Sequence, residues 1–126
     1  LADRPVAALS GGQQQRVWIA MILAQQTQLL LLDEPTTFLD LPHQIELLRF
    51  IRTLCDKDGK TIIIVLHDIN LAARFADRIV ALKDGSVVAD GSPANVVTVT
   101  NMRSVFNLEC TVISDPVYNR PHIIPN

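Results

Sequence analysis

Leu9-Ser10-Gly11-Gly12-Gln13-Gln14-Gln15-Arg16 and, a little further on, Leu29-Leu30-Leu31-Leu32-Asp33-Glu34-Pro35 are the stretches whose reading decides the fold of this chain. The first sets a hydroxyl and two glycines ahead of an apolar run. Ser10 is a good N-cap for a helix over residues 13–26. Val17, Trp18, Ile19, Met21, Ile22 and Leu23 fall on nearly every side of that helix, the pattern of one buried on most faces. The second stretch drives a short buried strand, residues 28–32, into two adjacent carboxylates. Pro35 then stops it, because it restricts Glu34 to an extended backbone and brings no N–H of its own.

Working outward, Pro42 suits the first turn of a helix, where its missing donor costs nothing. Leu41, Ile45, Leu48, Arg52 and Cys55 recur at helical spacing, and Leu47, Phe50, Ile51 and Leu54 widen the stripe until Lys57-Asp58-Gly59-Lys60 ends it. Residues 61–66 are β-branched and continuous, as in a parallel strand covered on both faces. Residues 69–76 form another helix, with Leu71/Phe75 and Ala72/Ala76 as i,i+4 pairs. Strand, helix, strand, helix predicts parallel α/β architecture. After Asp77 the pattern changes: residues 78–83 and 86–90 flank Asp84-Gly85, a two-residue hairpin turn. Ser92-Pro93 and Thr100 each open a short helix, and residues 109–114 and 122–124 pair as strands around Asp115-Pro116-Val117-Tyr118-Asn119.

At 126 residues the chain has the length of one domain, and 48% hydrophobic with 19% charged residues suits a globular fold rather than disorder. The net charge of −2 supplies no basic field for nucleic acid, so no nucleic-acid partner is expected. Cys55 and Cys110 form no metal or redox spacing. The apolar runs at 29–32 and 62–66 are far too short to span a membrane. The chain opens at Leu1 with no initiator Met and no signal-peptide pattern.

Each candidate site has an ordinary reading beside a functional one. Ser10-Gly11-Gly12-Gln13 is either a capped helix start or an anion site, where free N–H groups and the positive helix end favour phosphate and the glycines let it approach. Asp33-Glu34 is either a solvated strand end or a working pair. In the working pair, Asp33 holds Mg²⁺, through water, and Glu34 deprotonates an attacking water. Thr36-Thr37-Phe38-Leu39-Asp40 alone is a loop. His67 alone is most simply a structural histidine, yet it follows a strand at the edge where α/β sheets place ligand-binding groups.

The conjunction and order of these elements resemble the ABC ATPases: signature motif, Walker B, an Asp-containing loop, then a strand-terminal His, with matching residues from Leu9 through Gly91. The resemblance implies a P-loop NTPase fold of the α/β class, a parallel sheet with flanking helices and a small C-terminal β/α extension. It divides the chain into the end of a helical signature subdomain (1–27), part of the catalytic core (28–91) and the extension (92–126). It implies ATP and Mg²⁺ as ligands. Ser10, Gly11, Gly12 and Gln13 would face the γ-phosphate held by the opposite subunit, and Asp33 would be the magnesium carboxylate. Glu34 would be the general base, His67 the switch histidine, and Asp40 would act across the dimer. Thr37 and Phe38 depart from the Ser-Ala-Leu-Asp often found in that loop. No Gly-x-x-x-x-Gly-Lys-Ser/Thr occurs, so the resemblance reads this chain as the C-terminal part of a longer protein, lacking the phosphate loop and inactive by itself.

A finer resemblance rests on Thr36-Thr37-Phe38-Leu39-Asp40, on His67-Asp68-Ile69-Asn70-Leu71-Ala72-Ala73-Arg74-Phe75-Ala76-Asp77, and on Asp115-Pro116-Val117 with Pro121-His122-Ile123-Ile124-Pro125. These look like the ATPases of ferric-siderophore importers, with haem and cobalamin importers as near relatives. That reading implies a homodimer of ATP-binding subunits on the cytoplasmic face of the bacterial inner membrane, touching the membrane only through permease subunits. A non-transport ABC ATPase is one alternative. A non-enzymatic assembly module is another for the chain taken alone.

Overall fold

Asp40 begins the longest helix. The computed structural model describes residues 11–126, which fall into two compact units, one ending at Leu66 and one running His67–Asn126. In the first unit the order is α1 (Gly11–Ala24), β1 (Leu29–Asp33), α2 (Leu41–Asp58) and β2 (Thr61–Val65). The Asp40 backbone is extended and its side chain accepts from the His43 N–H, satisfying a first-turn donor of α2. Pro42 occupies the first turn as the sequence predicts. Gly59 closes the helix with φ of 66°, a left-handed C-cap whose N–H returns to the Leu54 carbonyl. The stripe Leu47, Leu48, Ile51 and Leu54 is buried, so α2 lays its apolar face on the core of this unit.

β1 and β2 pair in parallel, Leu29 opposite Thr61 through Asp33 opposite Val65. Thr61 N–H to Gln28 O (2.8 Å) and Lys60 Nζ to Thr27 O (2.9 Å) fix the entry to the pair. The expectation that residues 61–66 form a strand covered on both faces does not hold among the described residues, and the buried strand expected at 28–32 is buried on alternate residues only. Leu30 and Leu32 are buried, whereas Leu29, Leu31, Ile63 and Val65 are exposed. Only one face of the pair receives α2, so alternate residues point to solvent. The α1 expectation is corrected in the same way. Gln14, Gln15 and Ile22 are its buried residues, while Met21 and Leu23 stand exposed. Within the first unit α1 packs chiefly on α2, and one helix covers only one side of another.

The second unit holds α3 (Ile69–Phe75), the hairpin β3 (Ile79–Lys83) and β4 (Ser86–Gly91), α4 (Pro93–Val96), α5 (Val99–Phe106), and the antiparallel pair β5 (Cys110–Ser114) and β6 (Pro121–Pro125). Asp84 and Gly85 both take positive φ (52° and 78°), as the predicted two-residue turn requires. Asp68 caps α3 and Ser92 caps α4. The start of α5 differs from the sequence expectation: Thr98 rather than Thr100 is its cap, accepting from the Asn101 N–H at 3.1 Å. The core is Ala73, Val97, Met102, Cys110 and Ile123, flanked by Ile69, Ile79, Leu108 and Val112.

Polar clamps fasten the β5–β6 hairpin to α3. Asn70 Oδ1 accepts from the Ile123 N–H (2.7 Å) and its Nδ2 donates to the Ile123 carbonyl (3.2 Å), so one side chain behaves like a neighbouring strand. Arg120 Nη1 donates to the carbonyls of Ala73 (3.2 Å) and Ala76 (2.5 Å), closing the C-terminal end of α3. Arg74 reaches the buried Asp115 carboxylate at 3.0 and 2.6 Å and lies 4.6 Å from the Tyr118 ring centroid. Asp115 also accepts from the Val117 N–H at 2.8 Å and the Tyr118 N–H at 3.3 Å, which folds the turn between the strands.

Two outcomes test these clamps. Asn70→Ala leaves the Ile123 backbone groups without partners and should cost about 1–3 kcal/mol in denaturant unfolding. The Arg74 guanidinium first, and then the Val117 N–H, hold the Asp115 carboxyl below its ordinary value of 3.8. A carboxyl lowered by folding contributes stability above pH 3.8, and that contribution is lost as pH falls through the lowered value. Asp115→Asn should therefore lower the melting temperature at neutral pH and flatten its decline below about pH 4, measured by calorimetry across pH.

Candidate functional site

The two carboxylates leave the sheet at the C-terminal end of β1. Asp33 stands opposite Val65 and shares the exposed strand face with Leu29 and Leu31. One residue on, the Glu34 N–H donates to the Val65 carbonyl at 3.1 Å, the last bond of the ladder. The chain then reverses. Glu34 has φ of 51°, in the left-handed region, not the extended backbone expected before Pro35. The turn explains the difference. The Glu34 carbonyl accepts from the Thr37 N–H (3.3 Å) and the Thr37 hydroxyl (3.0 Å), and Thr36 O accepts from the Leu39 N–H (3.1 Å). An extended Glu34 would carry the chain past those partners. The Thr37 hydroxyl also lies 3.3 Å from Glu34 Oε2, so the same residue touches both ends of the glutamate. A left-handed backbone costs an L-residue about 1–2 kcal/mol. Strain of that size persists where surrounding structure over-determines it, which is common at working sites.

The loop ends on Asp40, whose carboxylate has two jobs. It caps α2 through the His43 N–H (3.3 Å), and its Oδ1 meets His43 Nδ1. The bond from the His43 side chain is the chief reason its carboxyl lies below the usual range. Gln44 braces the loop from inside: its Nε2 donates to the carbonyls of Leu39 (2.7 Å) and Thr36 (3.4 Å). Sequence reading passed over both His43 and Gln44. The available signal was the i,i+3 spacing of Asp40 and His43 at a helix start, which a histidine shares with many surface residues.

At the start of α1, Gly11 and Gly12 lie beside the same imidazole. A β-carbon built on Gly11 would stand 3.5 Å from His43 Nδ1, and one on Gly12 would stand 3.4 Å from Nε2. Gln15 Nε2 donates to Glu46 Oε2 at 2.8 Å, a second tie from α1 to α2. Gln13 sits half-buried in the first turn. Ser10, expected as its cap, lies outside the described residues. The first unit therefore gathers Gly11, Gly12 and Asp40 around His43, and carries Asp33 and Glu34 on one strand end. His67 is the first residue of the second unit and is exposed. Among the described residues no cluster of three or more His, Cys, Asp or Glu is placed to hold a metal. A single exposed carboxylate such as Asp33 is a fitting donor for Mg²⁺, which keeps several waters and takes one or two carboxylates together with phosphate oxygens.

A family model described as ABC transporter matches residues 1–37. The achromobactin transport ATP-binding protein CbrD of Dickeya dadantii (strain 3937) is 57% identical over 99% of this chain and 46% of its own length. The ferric enterobactin transport ATP-binding protein FepC of Escherichia coli (strain K12) is 49% identical over the same shares. The chain belongs to the ABC transporter ATP-binding family. A solved metal-chelate type ABC transporter in an inward-facing conformation matches it with a TM-score of 0.82 at 30% identity, over 100% of this chain and 51% of that one. The fold is thus part of the ABC ATPase, P-loop NTPase type. The chain spans about half the length, 46%, of the curated relatives it matches.

The strained turn after β1 generates a prediction. Glu34→Gly should leave unfolding stability within about 1 kcal/mol of the original or above it, because glycine adopts positive φ without penalty. A loss of more than about 2 kcal/mol in urea unfolding would show that the glutamate side chain, not the backbone, holds the turn.

Proposed function

We propose that the protein carrying this chain is the ATP-hydrolysing subunit of a bacterial importer of ferric siderophores. The observation that carries the reading is the Asp33-Glu34 pair on its constrained turn, one loop away from the Asp40–His43–Gly11–Gly12 cluster. The names of the relatives that match nearly the whole chain support the transport role and the iron-chelate cargo. No helix among the described residues is long and apolar enough to cross a membrane. In this reading the subunit works on the cytoplasmic face of the inner membrane, bound to permease subunits.

ATP with Mg²⁺ supplies the transferable γ-phosphoryl group. Asp33 would hold the ion at the strand end. Glu34, its carboxylate aimed by the left-handed turn and by Thr37, orients the attacking water and takes its proton. His67 would serve as the switch histidine toward the γ-phosphate. Ser10, Gly11, Gly12 and Gln13 offer backbone and side-chain donors to the γ-phosphate held by a second copy, since two glycines without β-carbons let phosphate approach a helix start. Asp40 acts across the same dimer. A site shared between two subunits makes hydrolysis depend on closure, which couples chemistry to movement of the permease.

In the full-length protein, Glu34→Gln should leave ATP binding nearly intact and depress hydrolysis on the order of 10²–10⁴-fold, the usual worth of a general base. Unchanged turnover in a phosphate-release assay would remove Glu34 from that role. Ser10→Arg or Gly12→Asp should abolish hydrolysis while each subunit still binds nucleotide, because the new side chain fills the space of the partner's γ-phosphate. Normal turnover by either variant would exclude the contribution in trans.

A further inference from the structure

We infer that His43 is a positioning residue for hydrolysis, holding the Asp40 loop in register with the signature glycines through one imidazole ring. The inference rests on the proposed ATPase reading and adds a residue to it. A bond at one nitrogen of the ring and a close approach at the other carry it. On one edge Nδ1 meets Asp40 Oδ1, and the carboxylate also caps α2 through the His43 N–H. On the other edge Nε2 lies 3.4 Å from where a Gly12 β-carbon would stand, and Cε1 lies 3.9 Å from it. A β-carbon built on Gly11 would stand 3.5 Å from Nδ1.

The proton inventory fixes the tautomer. An ionised carboxylate only accepts, so the Asp40 bond requires the proton on Nδ1. Nε2 is the nitrogen turned toward Gly12. His43 is half-buried, with 32% of its side chain exposed against 65% for Asp40, so the ring is wedged while the carboxylate stays accessible. The backbone of His43 is anchored in the first turn of α2, and α1 is tied to α2 independently by Gln15 and Glu46 at 2.8 Å. The imidazole thus spans two groups that the proposed mechanism sends to the same dimer interface: the glycine end of the signature helix and the carboxylate of the Asp40 loop. Neither group is sequence-adjacent to the other. Misplacing either by about 1 Å is enough to cost on the order of 10²-fold when a site depends on alignment.

The test uses the full-length ATP-binding subunit. His43→Phe keeps a ring against the glycines and removes the bond to Asp40. His43→Asn keeps a short donor toward Asp40 and removes the ring edge facing Gly12. Each should lower kcat about tenfold or more, with KM for ATP within about threefold and an unchanged melting temperature. A role in packing alone would instead move the melting temperature and leave kcat per folded subunit unchanged. The losses from His43→Phe and Asp40→Ala should fail to multiply in the double variant, since both break one link. The inference is overturned if both His43 variants turn over within twofold of the original, or if the Phe and Asp40→Ala losses multiply fully. Should one variant not fold, the other decides. Glu34→Gln run alongside separates the two readings. If it too leaves hydrolysis intact, the catalytic assignment has failed. If it abolishes hydrolysis while the His43 variants do not, only the positioning role is lost.

Discussion

The register of β1 against β2 is the constraint from which the first unit follows. Asp33 stands opposite Val65, and the Glu34 N–H closes the ladder on the Val65 carbonyl at 3.1 Å. A slip of one residue would turn Leu30 and Leu32 out of the core and Leu29 and Leu31 into it, exchanging every side chain between faces. It would also carry the two carboxylates past the end of the sheet. Because the ladder stops where the acidic pair begins, the chain can reverse at once, and the reversal presents the Glu34 side chain at a strand end rather than along a strand face. The left-handed backbone of Glu34 is the local cost of that geometry.

The loop from Glu34 to Asp40 is short and heavily braced. Thr37 bonds back to Glu34, Gln44 reaches the carbonyls of Thr36 and Leu39, and Asp40 caps α2. A loop of this kind passes displacement from one end to the other, because hydrogen bonds brace it at Glu34, Thr36, Thr37, Leu39 and Asp40. That is a physical basis for linking a carboxylate on the sheet to a carboxylate at a helix start. The second unit follows a different principle. Its small apolar core is supplemented by side chains that pair with backbone: Asn70 with Ile123, Arg120 with the end of α3, and Asp115 with the turn that precedes β6. The residues of the tail that resemble the iron-chelate importers, Asp115 and Ile123 among them, thus serve a structural clamp.

Much of this was legible in the residues. Aliphatic runs ending in Asp33-Glu34, the stripe of α2, the Gly59 stop and the Asp84-Gly85 hairpin depend on local chemistry, which a sequence carries in full. The misjudged features all depend on what packs where. α1 reads as apolar on every side, yet Gln14 and Gln15 are buried and Met21 and Leu23 are not, because burial is decided by the neighbour and not by the side chain alone. Residues 61–66 read as a strand covered on both faces, yet Ile63 and Val65 are exposed. Thr98 and Thr100 are equally good caps, and the core around Val97 and Met102 selects the first.

By itself the sequence determined the α/β class, the element order, the family and the identity of the acidic pair, because these follow from periodicity, turn chemistry and motif spacing. Only the tertiary structure decided that Glu34 takes a left-handed backbone, since the partners of its carbonyl lie in a turn that proline's local preference does not encode. Only the tertiary structure brought His43 between Asp40 and the glycines of α1. A contact between residues some thirty positions apart arises from two helices packing together, and no local pattern in either one contains it.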